Sequence, residues 1–163
     1  MALKRLKQER RKFQQQTELD SIIRAEPIND SNLFVWRAVV QGPQGTPYEE
    51  GRFNLRIEYS TEYPFKPPKV RFETRIFHPN ISRNGSLCVD ILHNKWSPVL
   101  TTDTILLSIM SLIASPDPDD PMDAESADLY VTNRNKFEQE ARKWTERYAT
   151  KAYDEESLPP KTI

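Results

Sequence analysis

The stretch FNLRIEYSTEYPFKPPKVRF, residues 53–72, decides the reading of the fold. Phe53, Leu55, Ile57 and Tyr59 alternate with polar residues, the period of a half-buried strand. Tyr63-Pro64-Phe65-Lys66-Pro67-Pro68 then stops regular structure, because each proline lacks an N–H and restricts the residue before it. Val70 and Phe72, with Thr74 at the margin, predict another short strand. Upstream, Leu33 to Val40 puts Phe34, Trp36 and Ala38 on one parity and Val35 and Val39 on the other. Gln41-Gly42-Pro43-Gln44-Gly45-Thr46-Pro47 separates these runs as a loop. Successive short strands after one helix predict an antiparallel meander.

That first helix opens the chain. Leu3, Leu6 and Phe13 fall near one face, with Lys4, Arg5, Lys7, Arg10, Arg11 and Lys12 around the rest. Downstream, Ile76 to Leu100 has no long period and reads as an extended loop-rich segment. Thr102 or Asp103 caps a helix whose wide stripe of Ile105, Leu106, Ile109, Leu112 and Ile113 belongs in a central core. Ser115-Pro116-Asp117-Pro118-Asp119-Asp120-Pro121 ends it. A last helix runs from about Asn133 to Ala149, with Phe137, Ala141, Trp144 and Tyr148 on a shared face. Residues 1–149 are expected to form one domain, and 150–163, poor in apolar residues, a mobile tail.

Composition narrows the function classes. Lys plus Arg is 23 and Asp plus Glu is 24, so the net charge of -1 predicts no nucleic-acid or anionic-membrane partner. No apolar run approaches the ~18–20 residues of a membrane span. The basic N-terminus is not followed by an apolar stretch, so no signal peptide is expected. One cysteine, Cys88, allows no internal disulfide and no multi-cysteine metal site, and a reducing compartment suits it. A cytoplasmic protein, with access to the nucleus, is the expectation.

A thiol in an irregular segment is a candidate nucleophile. The alternative is a small buried hydrophobe, the commoner fate of a single cysteine. A cysteine peptidase needs an imidazole, and only His78 and His93 are available, neither in a peptidase signature. Asn80 by itself reads as a turn residue, and Asp119 and Asp120 as caps of a proline-rich loop.

The motifs together carry a family resemblance. The chain resembles the ubiquitin-conjugating enzymes (E2) in Tyr63-Pro64-Phe65-Lys66-Pro67-Pro68-Lys69-Val70, His78-Pro79-Asn80-Ile81, Gly85-Ser86-Leu87-Cys88-Val89-Asp90-Ile91-Leu92, Trp96-Ser97-Pro98 and Pro118-Asp119-Asp120-Pro121. The resemblance covers roughly residues 1 to 149. Met1-Ala2-Leu3-Lys4-Arg5 and Thr74-Arg75-Ile76-Phe77-His78 are most similar to the small class that works with many RING-type ligases.

What the resemblance implies is an α/β (α+β) fold: an N-terminal helix, a four-stranded antiparallel meander, a long active-site segment, a central helix and C-terminal helices. It implies acyl transfer, with Cys88 taking ubiquitin from an activating enzyme (E1) as a thioester. Cys88 then passes it to a substrate lysine with a RING ligase (E3), or to the cysteine of a HECT or RBR ligase. No cofactor is expected, since ATP is used by the activating enzyme, and no metal site. Asn80 takes the role of oxyanion donor or of loop-ordering residue. Asp120 is the acid that orients the lysine, and Asp90 is a second acid near the site. Lys4, Arg5, Phe65, Lys66, Pro98 and Val99 form the E1 and E3 docking surface, unless Phe65 is a core aromatic. A monomer is expected.

Departures from the pattern are Val99 and Asp117, where the class has Ala and Asn, and Val89 for Leu. The segment Thr17 to Asn32, including Ile22-Ile23-Arg24-Ala25, differs most, which argues against noncovalent ubiquitin on the back face. The rival readings are conjugation of another ubiquitin-like modifier and a catalytically silent ubiquitin-binding scaffold.

Overall fold

The computed structural model describes residues 1–16 and 22–150. The order is α1 (Ala2–Gln14), β1 (Ile23–Asn29), β2 (Asn32–Gln41), β3 (Arg52–Glu58), β4 (Lys69–Phe72), a 3-10 turn at Asp90–Leu92, α2 (Thr102–Ala114), α3 (Ala124–Thr132) and α4 (Arg134–Tyr148). The strands form one antiparallel sheet in the order β1-β2-β3-β4. The expected helix–meander–helix architecture is therefore present. Of the expected tail at 150–163, residues 151–163 lie outside the described residues.

The alternation read in residues 53–59 becomes β3 as far as Glu58, with Phe53, Leu55 and Ile57 all fully buried. They join Trp36, Ala38 and Val40 of β2 and the stripe Ile105, Leu106, Ile109 and Ile113 of α2 in a single core. Four such side chains on one helix contribute roughly 6–12 kcal/mol of burial, so packing and not propensity holds α2 in place.

β1 was not among the strands read from the residues. Ile23, Ala25 and Pro27 are buried and Arg24 and Glu26 exposed. Pro27 is tolerated because β1 is an edge strand, and the register shifts beside it.

Two local expectations are corrected. Leu3 is 48% exposed; the buried face of α1 is Ala2, Leu6 and Glu9, spaced by four and three residues. The N-cap of α2 is Thr101, not Thr102 or Asp103, and the Glu9 carboxylate of α1 accepts the Thr102 N–H at 2.6 Å. α3 precedes α4 as one of the expected C-terminal helices, and the bounds of α4 match the periodicity. Asn133 caps α4 by accepting the Lys136 N–H. No helix among the described residues is long and apolar enough to cross a membrane.

Candidate active site

Two chain segments make the walls of one groove. The first is the arm that carries Cys88. Its turn packs against β4, where Phe72 N–H donates to Gly85 O at 2.9 Å and Arg71 bridges Ser86. Gly85 has φ +89, and a Cβ there would lie 2.0 Å from Phe72 O, so only glycine fits. Ile81 bridges Leu87, and buried Leu87 and Leu92 anchor the arm on either side of Cys88. The sulfur is thus presented between two fixed points, and Cys88 stays partly exposed.

The second wall is the loop 117–123 between α2 and α3. Asn80 is 3% exposed and its amide is fully used: Nδ2 donates to Asp117 O at 2.6 Å and Asp120 O at 3.0 Å, and Oδ1 accepts Asp117 N–H at 2.8 Å. Pro79 O accepts Met122 N–H at 2.7 Å and Asp123 N–H at 3.2 Å. All three of these hydrogen bonds tie Asn80 to the backbone of the 117–120 loop.

His78 is buried and belongs to the same turn. Its Nδ1 accepts Asn80 N–H at 3.0 Å, so Nε2 carries the proton and donates to Leu112 O at 2.9 Å. Burial pushes its pKa down to about 4. With both nitrogens engaged, His78 cannot serve Cys88 as a base.

Cys88, Asp90, His93, Asp117 and Asp120 line an open groove of about 590 Å³, with Asn80 and Leu112 at its floor. Burial raises the Cys88 thiol above its ordinary pKa, and the Asp120 carboxylate raises it further by its charge and a hydrogen bond, with a smaller push from Asp90. Asp120 is exposed, and Asp90 pairs with Lys95 at 3.1 Å. The fold brings Cys88, Asn80, Asp90 and Asp120 together from positions up to 40 residues apart.

Residues 5–145 match the family model of the ubiquitin-conjugating enzyme. The chain belongs to the ubiquitin-conjugating enzyme family. It is 43% identical to the E2 domain of a Toxoplasma gondii ubiquitin conjugating enzyme, over 91% of this chain and 99% of that one, with a TM-score of 0.84. It is 46% identical to a Plasmodium yoelii protein described as a ubiquitin conjugating enzyme, over 91% and 96% of the two chains, with a TM-score of 0.85.

None of the residues expected to dock other proteins of this family's pathway lines the groove. Phe65 is 64% exposed and Val99 81%. Tyr63, not Phe65, is the core aromatic, at 1%. Trp96 Nε1 donates to Pro64 O at 2.9 Å and ties the two proline-containing loops together. Arg5 reaches the second loop from α1, donating to Pro98 O and Leu100 O, each at 2.7 Å. Lys4 is exposed, and Lys66 pairs with Glu62 at 2.9 Å.

Glu9 was missed in the sequence. Its carboxylate is buried, accepts Tyr63 OH at 2.5 Å and Thr102 N–H at 2.6 Å, and faces Arg5 at 3.4 Å. It thereby joins α1, the first proline loop and the start of α2. Its only sequence signal is an acid on the Ala2–Leu6 face of a basic helix.

Proposed function

We propose that the chain carries ubiquitin as a thioester on Cys88 and delivers it to the amine of a substrate lysine. The observation that carries this reading is a partly exposed thiol in an open groove with the Asp120 carboxylate against it. In charging, the Cys88 thiolate attacks the thioester carbonyl on the activating enzyme, and that enzyme's cysteine leaves as thiolate. ATP is consumed there, not here. In discharge, the lysine amine attacks the Cys88 thioester, the amide forms, and the Cys88 thiolate leaves.

A thioester is already activated, so the site has no need of a base bonded to the sulfur, in keeping with the engagement of both His78 nitrogens. The difficulty is the amine, whose pKa of ~10.4 leaves little free base at neutral pH. In this reading Asp120, which lines the groove with Cys88, orients it and accepts its proton as the tetrahedral adduct collapses. Burial, and after it the same carboxylate, raise the pKa of the free thiol, so a smaller share of it is thiolate at neutral pH than in an ordinary cysteine. RING ligases, and HECT or RBR ligases, would dock on Phe65, Pro98 and Val99 with Lys4, Arg5 and Lys66 at the rim. Exposed aromatic and basic anchors suit such an interface.

Incubation with ubiquitin, an activating enzyme and Mg-ATP tests the reading. A non-reducing gel should show a species one ubiquitin heavier that thiol removes. A protein that stays unmodified while a known conjugating enzyme charges in the same mixture would contradict it.

A further inference from the structure

Arg83 stands outside the assigned residues. It sits on the turn that precedes Cys88, where Ser82 N–H donates to Ser86 O. Its Nε donates to Asp123 Oδ2 at 2.7 Å and its Nη2 to Glu125 Oε2 at 2.8 Å. Its guanidinium also covers the Trp144 ring, 4.7 Å from the centroid, and approaches Phe77 at 5.3 Å. The Asp123 side chain is only 8% exposed, and Asp123 is the N-cap position of α3. These contacts run from the Cys88 arm to the far end of the loop that carries Asp120. Asn80 holds that loop at residues 117 and 120, Pro79 O holds the backbone at 122 and 123, and Arg83 holds the side chain of 123.

The contact is directional. A guanidinium shared between two carboxylates and seated on an indole face has little freedom to slide. A largely buried carboxylate that loses its cation is disfavoured, so without Arg83 the Asp123 side chain loses its only ion-pair partner among the described residues, and the backbone bonds to Pro79 O alone hold this end of the loop. We propose that Arg83 is a positioning residue of this site, bridging the Cys88 arm to Asp123 and Glu125 so that Asp120 stays against the sulfur. It touches neither the thiol nor the acyl group. Its effect on discharge rests on the acyl-carrier reading, whereas its effect on the free thiol does not.

The full chain has a single cysteine, so alkylation by iodoacetamide reports Cys88 alone. The pH midpoint of alkylation is compared for the wild type, Arg83→Met, Asp120→Asn and the double variant. Methionine keeps an unbranched stem over Trp144 and Phe77 while removing the charge. Arg83→Met should lower the midpoint in the same direction as Asp120→Asn, and the double variant should add little, because both remove one interaction. Discharge of the charged protein to free lysine should slow roughly tenfold, with partial recovery in Arg83→Lys. A wild-type midpoint in Arg83→Met, alongside a lowered one in Asp120→Asn, overturns the proposal; so does full additivity. Should Arg83→Met fail to fold, Arg83→Lys and Asp123→Asn make the same comparison. Failure of every variant and the wild type to charge would refute the acyl-carrier reading, and the alkylation midpoints would still decide on Arg83.

Discussion

His78 and Asn80 show what single residues do beneath the groove. A histidine beside a candidate nucleophile invites a catalytic reading, yet both its nitrogens close hydrogen bonds within the core. Its pKa is held at about 4, below the ordinary 6.5. The unfolded chain therefore binds more protons than the folded one between those values. The stability that His78 contributes is complete above 6.5 and is lost as the pH falls toward 4. From pH 7.5 to pH 5 the loss is about 2 kcal/mol. Urea midpoints at the two pH values should show that loss in the wild type and correspondingly less in His78→Gln. Equal losses in both would exclude His78 as the source. Asn80 was legible as a polar residue after a proline and as a family motif. That its side chain binds the 117–120 loop was not, because its partners stand 37 and 40 residues away. Local pattern carries no information about such pairs.

At the scale of elements, legibility followed periodicity. β2, β3, β4, α2 and α4 each repeat apolar residues on one face over enough positions to be recognised. β1 carries Glu26 and Pro27 in mid-run, and only an edge strand can absorb that proline. α3 buries just Ser126 and Ala127, so its nine residues offer no stripe. The α2 N-terminus was mislocated by a residue because its first N–H is met by Glu9, 93 residues earlier, and not by a local hydroxyl. Element placement also makes the arm before Cys88 unforgiving. Gly85→Ala adds a Cβ against Phe72 O on a backbone at positive φ, and should cost about 2–4 kcal/mol. Thermal unfolding of the variant checks this; a melting temperature equal to wild type would show that the turn and β4 separate freely.

Over the whole molecule, the groove and the proposed docking residues are made of different side chains on one scaffold. The groove is built from the 80–94 segment, Leu112 of α2 and the loop carrying Asp117 and Asp120. The docking residues ride on α1 and two loops joined by Trp96, Arg5 and Glu9. Phe65→Ala tests that separation. An exposed side chain leaves stability within about 0.5 kcal/mol when truncated. The variant should fold and charge normally while RING-stimulated discharge falls several-fold. Loss of basal discharge to free lysine as well would place Phe65 in the chemistry instead of the interface. The central claim is that Cys88 itself bears the acyl group. Its most direct test is charging of Cys88→Ser beside the wild type, each resolved with and without thiol. The account predicts a wild-type adduct that thiol destroys and a serine adduct that survives it as an oxygen ester. An adduct in the serine variant that thiol still cleaves, or a wild-type adduct indifferent to thiol, would contradict it.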